Sequence, residues 1–307
     1  MTNNSEYRFT VFTPTYERAH VLHRPYETLQ QQTHEDFEWL IIDDNSTDET
    51  QSLVESWKSE ADFPIRFVTQ DKDQPGKHHA FNTAVDIARG ELFYEIDSDD
   101  ELLPDALEIL SETWESIAPE DRDQYAGVTG LCIDTNRNVV GDRFPDSPFD
   151  SDSIELRYRY KISGEKSGMI RTDILQEYPF PELEGVRHVP ESLVWDAISG
   201  QYKTRFVNEP LRVYHIDDSV SQLTTDGDTS KSSMGHVLAR QDRLNSQLSW
   251  ARYAPLEFLK SATQYVRYAN HTGLTVSEQA KRLRWPAHLL WLACLPVGKA
   301  AAVLDRR

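Results

Sequence analysis

Apolar and polar positions follow two different periods along the first third of the chain. "YRFTVFTPT", "FEWLIID", "PIRFVTQ" and "GELFYEID" are short apolar runs rich in β-branched and aromatic residues, and they read as strands. Between them, "AHVLHRPYETLQQQ" (residues 19 to 32), "TDETQSLVESWKSE" (47 to 60) and "KHHAFNTAVDIARG" (77 to 90) have helical spacing, with Gly90 predicted as the C-cap of the last. Strands alternating with helices of this length predict an α/β fold with a mostly parallel sheet flanked by helices. Such sheets bind ligands beyond the carboxyl ends of their strands. Three polar clusters sit there: "TPTYER", "DDNSTDE" and "DSDDE".

Further on the pattern loosens. "YAGVTGLCIDTNRNVVGDRF" predicts paired strands with a turn at Asn136 to Asn138, and "DSPFDSDSIELRYRYKISGEKSG" a surface excursion that could cover a substrate. A short helix "PESLVWDAIS" precedes strands "YKTRFVN" and "PLRVYHID", and "DDSVSQLTTDGDTSKSS" reads as a loop or hinge. Residues 233 to 304 read as helices, which divides the chain into a main domain over 6–218 and a helical extension over 219–307. The apolar run "WPAHLLWLACLPVGKAAAVL" is interrupted by Pro296 and Lys299, short of the ~20 clean residues expected of a membrane span.

Composition narrows the function. Against 32 Lys plus Arg stand 51 Asp plus Glu, a formal charge of −19 that repels bare nucleic acid. Only Cys132 and Cys294 occur, which argues against a disulfide framework, and "MTNNSEYRFT" lacks the pattern of a secretion signal. A cytoplasmic protein is expected. There is neither a G-x-G-x-x-G after the first strand nor a G-x-x-x-x-G-K-[ST], so dinucleotide-binding and P-loop chemistry are disfavoured.

The candidate chemistry lies at the strand ends. Asp97, Ser98 and Asp99 form a D-x-D whose hard oxygens suit Mg²⁺ or Mn²⁺ carrying substrate phosphates; an acidic turn capping the next helix is the alternative. Asp100, Glu101 and Asp105 are assigned to that cap or to solvent. Asp43 and Asp44 follow the second strand, and Asp43 suits a base N–H, whereas Ser46, Thr47 or Asp48 suit helix capping. Thr13 and Thr15 offer hydroxyls and Tyr16 a stacking ring, although a strand-to-helix turn accounts equally well for the Pro and Thr residues. Lys77, at a helix start after a glycine, suits an anion.

Taken in order, "VFTPTYER", "FEWLIIDDNSTDET", "GKHHAFNTAVDIARGELFYEIDSDDELLPDAL" and "VPESLVWD" resemble glycosyltransferase family 2, the inverting enzymes of GT-A fold, over roughly residues 7 to 215. The resemblance implies that Thr13, Pro14, Thr15, Tyr16 and Glu17 line a nucleotide pocket and that Asp43 reads the base. It further implies that Asp97 lies near the ribose and phosphate, and that Asp99 holds a divalent ion on the donor diphosphate. Many relatives carry a Glu-Asp pair at a late helix start where this chain has Pro190, Glu191 and Ser192; Glu191 is the expected base, with Asp196 as substitute. His215 is a candidate metal or diphosphate ligand and Trp195 an acceptor platform, each with a structural role as the alternative.

The expected activity is metal-dependent transfer of a sugar from a nucleotide-sugar donor, a UDP-sugar, to a hydroxyl acceptor in polysaccharide or glycolipid synthesis. The rivals are a nucleotidyltransferase and a catalytically silent member that binds sugar nucleotide or a partner. Basic residues flanking the C-terminal apolar stretch leave two readings of residues 281–307. One is peripheral contact with the inner face of the cell membrane; the other is packing against the catalytic domain or a second subunit.

Overall fold

The computed structural model describes residues 5–71, 75–183, 186, 189–215 and 229–305. The chain forms two compact units, Met1–Pro179 with Asp196–Asp218, and Phe180–Trp195 with Ser219–Arg307. The expected hinge falls largely on residues 217–228, outside the described residues, and the expected boundary at 218/219 lies there too.

The first unit is built on one sheet. Its strands are β1 (Tyr7–Thr15), β2 (Phe37–Asp43), β3 (Ile65–Thr69), β4 (Gly90–Glu95), β5 (Glu101–Leu102), β6 (Tyr125–Ile133), β7 (Phe149–Ser151), β8 (Lys166–Arg171) and β9 (Lys203–Val213). They lie in the order β3-β2-β1-β4-β8-β6-β9-β5, with β7 also on β9. The four strands expected from the alternating pattern pair in parallel, and β8 then joins β4 antiparallel. All seven positions of β2 are buried, as in a strand covered on both faces.

The helices are α1 (His23–Leu29), α2 (Thr50–Trp57), α3 (Lys77–Ile87), α4 (Ala106–Glu115), α5 (Ser153–Glu155), α6 (Thr172–Glu177), α7 (Ser192–Ser199), α8 (Thr229–Ser246), α9 (Pro255–His271), α10 (Val276–Lys281) and α11 (Ala287–Leu304). Alternation along β1 sorts the layers. Phe9 and Val11 join the core cluster of Leu22, Tyr26, Val54, Trp57, Leu110 and Trp114, contributed by α1, α2, α4 and their flanks. Phe12, on the opposite face, meets Phe81 of α3.

Three expectations are corrected. Gly90 is not a C-cap: α3 stops at Ile87 and Gly90 opens β4, where a Cβ would lie 2.2 Å from the Thr10 nitrogen. The excursion after Asp146 is not a surface flap, because β7 and β8 weave it into the sheet and Ile154, Leu156 and Tyr158 are buried. "YKTRFVN" and "PLRVYHID" form one strand, β9. The turn after β6 does form, with Asp134 accepting the Asn136 and Asn138 N–H groups.

In the second unit, α8 to α11 enclose a core of Val237, Leu244, Tyr265, Val266, Trp291 and Cys294. Helix α11 runs unbroken through Pro296.

Candidate active site

Parallel pairing places Thr15 opposite Asp43 and Phe12 opposite Glu95, so the polar segments after β1, β2 and β4 emerge side by side. Two of those turns carry non-glycine residues with left-handed backbone, Glu17 (φ 54°) and Asn45 (φ 64°). Such conformations persist only where surrounding contacts hold them.

Here the contacts form a clip. Asp43, 3% exposed, accepts the N–H and the hydroxyl of Ser46. The Ser46 oxygen accepts the Glu17 N–H at 2.8 Å, and the Glu17 carboxylate takes the Thr47 N–H at 2.6 Å. Asp48 accepts the N–H groups of Thr50 and Ala19, whereas the N-cap of α2 is Glu49, without a side-chain cap. Tyr16 stands on this rim 57% exposed, whereas the Thr13 hydroxyl faces the core and accepts the Trp39 indole N–H at 2.9 Å. Thr15 is buried and Pro14 half-buried.

The second cluster follows β4, where Asp97 to Asp100 form a turn closed by the Asp100 N–H on the Asp97 carbonyl. Each carboxylate meets a cation. Lys77 Nζ lies 2.9 Å from Asp97 and 3.0 Å from Glu95. Arg212 approaches Asp97 at 3.5 Å, Asp100 at 3.4 Å and Glu165 at 3.9 Å. Arg18 contacts Asp99 at 3.3 Å, and Arg24 donates to the Asp99 carbonyl. Asp44 accepts the Gly76 N–H at the start of α3, and Ser98 is buried within the turn.

These neighbours separate the acids electrostatically. Burial would raise the Asp97 carboxyl, but Lys77 and Arg212 outweigh it and bring it down to about 2. In Asp100, 1% exposed, burial dominates and pushes the carboxyl up to about 7, against the pull of Arg212 and with added repulsion from Asp97. Asp100 is therefore neither a helix cap nor a surface acid. It accepts the His215 N–H, while the His215 ring pairs with Glu101 at 2.9 Å, and Asp105 makes no side-chain cap for α4.

Among the described residues, no three His, Cys, Asp or Glu side chains are grouped to hold a metal ion. A divalent ion that travels with a diphosphate requires only one or two protein carboxylates. Asp99 fits that demand, with a hard-oxygen side chain in a long 3.3 Å contact, whereas Asp97 is already compensated by two cations. Arg18, Arg24 and Arg212 were not singled out from the sequence. The available signal was the surplus of acids at the strand ends, which required cations from elsewhere.

Glu191 precedes α7 in the second unit, where its carbonyl accepts the Val194 and Trp195 N–H groups; Trp195 stacks edge-on against Phe180. Asp196 belongs to the first unit and is held at both oxygens by Arg157, at 2.8 and 3.0 Å. That two-point pairing fixes the orientation of the Asp196 carboxylate.

Comparison with known proteins identifies the family and the fold. Residues 10–175 match the model of Glycosyl transferase family 2. The chain is 27% identical over 219 residues to the GalNAc(5)-diNAcBac-PP-undecaprenol beta-1,3-glucosyltransferase of Campylobacter jejuni, covering 70% of this chain and 67% of that one. It is 27% identical over 183 residues to the poly(ribitol-phosphate) beta-N-acetylglucosaminyltransferase TarS of Staphylococcus aureus, covering 57% of this chain but only 30% of TarS. The fold is shared with S. aureus TarS 1-349 in complex with UDP-GlcNAc, at a TM-score of 0.63 and 17% identity over 96% of this chain and 81% of that one. It is also shared with the mannosyltransferase PcManGT of Pyrobaculum calidifontis in complex with GDP-Man and Mn²⁺, at 0.55 and 18% over 98% and 88%.

Proposed function

The chain belongs to glycosyltransferase family 2, and from that premise we propose that it transfers a sugar with inversion from a UDP-sugar to a hydroxyl of a cell-surface polysaccharide or glycolipid, with Mg²⁺ or Mn²⁺ as cofactor. The observation that carries this reading is the set of carboxylates after β2 and β4, flanked by Lys77, Arg18, Arg24 and Arg212. A carboxylate for a metal, beside cations for a diphosphate, is what a nucleotide-sugar donor site requires. The UDP-GlcNAc bound by TarS supports uridine, and the lipid-linked acceptor named for the C. jejuni relative supports a glycolipid.

In this reading Thr15, Tyr16 and Glu17 surround the nucleoside. Asp43 accepts from the base with lone pairs that remain beyond its two bonds to Ser46. Asp44, Lys77, Asp97 and Ser98 order the ribose and phosphate side, and Asp99 would hold the divalent ion, whose chemistry there would be charge neutralisation of a diphosphate. His215, oriented by Glu101 through Nε2, is the further candidate ligand through its other ring nitrogen. Glu191 is the proposed base, because Asp196 is committed to Arg157.

Calorimetric titration with UDP, with and without Mn²⁺, tests the donor site. Wild type is expected to bind in a metal-dependent manner and Asp99→Asn to lose that dependence. Failure of UDP, GDP and dTDP alike, with metal present, would sink the proposal. Glu191→Gln is expected to keep UDP binding and lose sugar transfer at least 100-fold, the scale of a general base; retained transfer would remove Glu191 from the role.

A further inference from the structure

Helix α11 is two-sided in an unusual way. Ala287, Trp291, Cys294, Gly298 and Ala302 form a buried stripe at helical spacing, and Trp291 donates to Gln279 of α10. The opposite side is apolar as well: Leu289, Leu292, Val297, Val303 and Leu304 are 56–66% exposed, and Trp285, just before the helix, is 71% exposed. Between Ala287 and Leu304 the one charged residue is Lys299. The face runs the length of an 18-residue helix, about 27 Å, and so differs from the single apolar residues scattered over ordinary surfaces.

Charge indicates what covers it. The second unit, Phe180–Trp195 with Ser219–Arg307, contains 13 Lys or Arg and 9 Asp or Glu, whereas the rest of the chain contains 19 and 42. A chain that is strongly acidic as a whole thus concentrates a positive surplus in the unit that exposes the apolar face. Lys281 and Arg282 close α10, where the helix dipole favours cations, and Arg284 stands in the short link before α11. Against a second copy of the same unit, like charges would face one another. Against an anionic lipid surface, the basic residues meet phosphates while Trp285 and the leucines enter the headgroup–acyl boundary.

We propose that the outer face of α11, with Trp285 and the flanking basic residues, seats this unit in the plane of an anionic membrane surface. The helix is long and apolar enough to cross a bilayer, but crossing would strip the buried stripe from α9 and α10, whereas lying in plane preserves it. This inference is independent of the sugar chemistry.

The test is co-sedimentation of the full chain with vesicles of phosphatidylcholine alone or with about a third phosphatidylglycerol. Binding is expected only to the anionic vesicles, weakened in 1 M salt, and lost in the doubly substituted Leu289→Glu, Leu292→Glu. Arg284→Ser with Lys299→Ser should weaken it by about fivefold per charge removed. Circular dichroism checks folding; if the leucine variant is unfolded, the serine variant, altered only at exposed positions, decides. Equal binding to both vesicle types overturns the proposal, as does no binding at all. Self-association by sedimentation velocity that the glutamate substitutions abolish, without vesicle binding, would assign the face to a second copy. Resistance to carbonate extraction would show a span instead of an in-plane helix.

Discussion

Arg212→Met removes one guanidinium from a buried acidic cluster while keeping most of its volume. Arg212 is 7% exposed and faces Asp97, Asp100 and Glu165. Removing one member of a buried pair costs about 3–5 kcal/mol, because the partner remains buried without compensation. The lower end applies here, since Asp97 keeps Lys77 and about a third of its side chain is open to water. The loss should also depend on pH. Asp100 titrates near 7 in the fold and near 4 when unfolded, so its contribution to stability is complete below about pH 4 and is lost as pH rises through 7. Without the attraction of Arg212 its value climbs further, and the loss continues above pH 7 where wild type has levelled off. Urea denaturation followed by tryptophan fluorescence should therefore show about 3 kcal/mol of destabilisation at pH 8, where wild-type Asp100 is ionised, and about 1 kcal/mol less at pH 6, where it is mostly protonated. A loss below 1 kcal/mol, or an equal loss at both pH values, would refute the account of Arg212 as the cation that Asp100 depends on.

Two substitutions test packing in the separate units. The buried Thr10 hydroxyl accepts the Gly90 N–H at 2.8 Å and the Arg89 N–H at 3.1 Å and donates to Glu38, so Thr10→Val should cost about 2 kcal/mol by denaturant titration. A change within error would mean that other acceptors replace it. In the second unit, a Cβ on Gly298 would lie 2.5 Å from the Val266 Cβ and 2.7 Å from the Thr263 carbonyl. Gly298→Ala should cost about 1–3 kcal/mol in thermal unfolding, and an unchanged melting temperature would contradict the close approach of α9 and α11.

Much of the first unit was legible in local pattern. Seven consecutive buried positions in "FEWLIID" and the two-sided alternation of "YRFTVFTPT" read directly as strands, and their polar ends read as the ligand edge of the sheet. Gly90 was misread because a glycine after a helical run has the same local signature whether it ends the helix or opens a strand pressed against Thr10. The segment around Leu156 and Tyr158 was misread because its many Asp and Ser residues hide apolar positions that are covered only when β7 pairs with β9.

By itself, the sequence determined that carboxylates would gather after β2 and β4, because strand periodicity and the residues that end each strand are local properties. Only the tertiary structure decided which cation each acid meets. Arg212 reaches Asp97 and Asp100 because β9 runs beside β5, which returns more than a hundred residues of chain to the turn after β4. Whether Asp100 is a helix cap or a buried group near neutrality, and which cations hold Asp97 ionised, follows from those distances. Coulomb energies and desolvation depend on separation in space, which no spacing along the chain encodes.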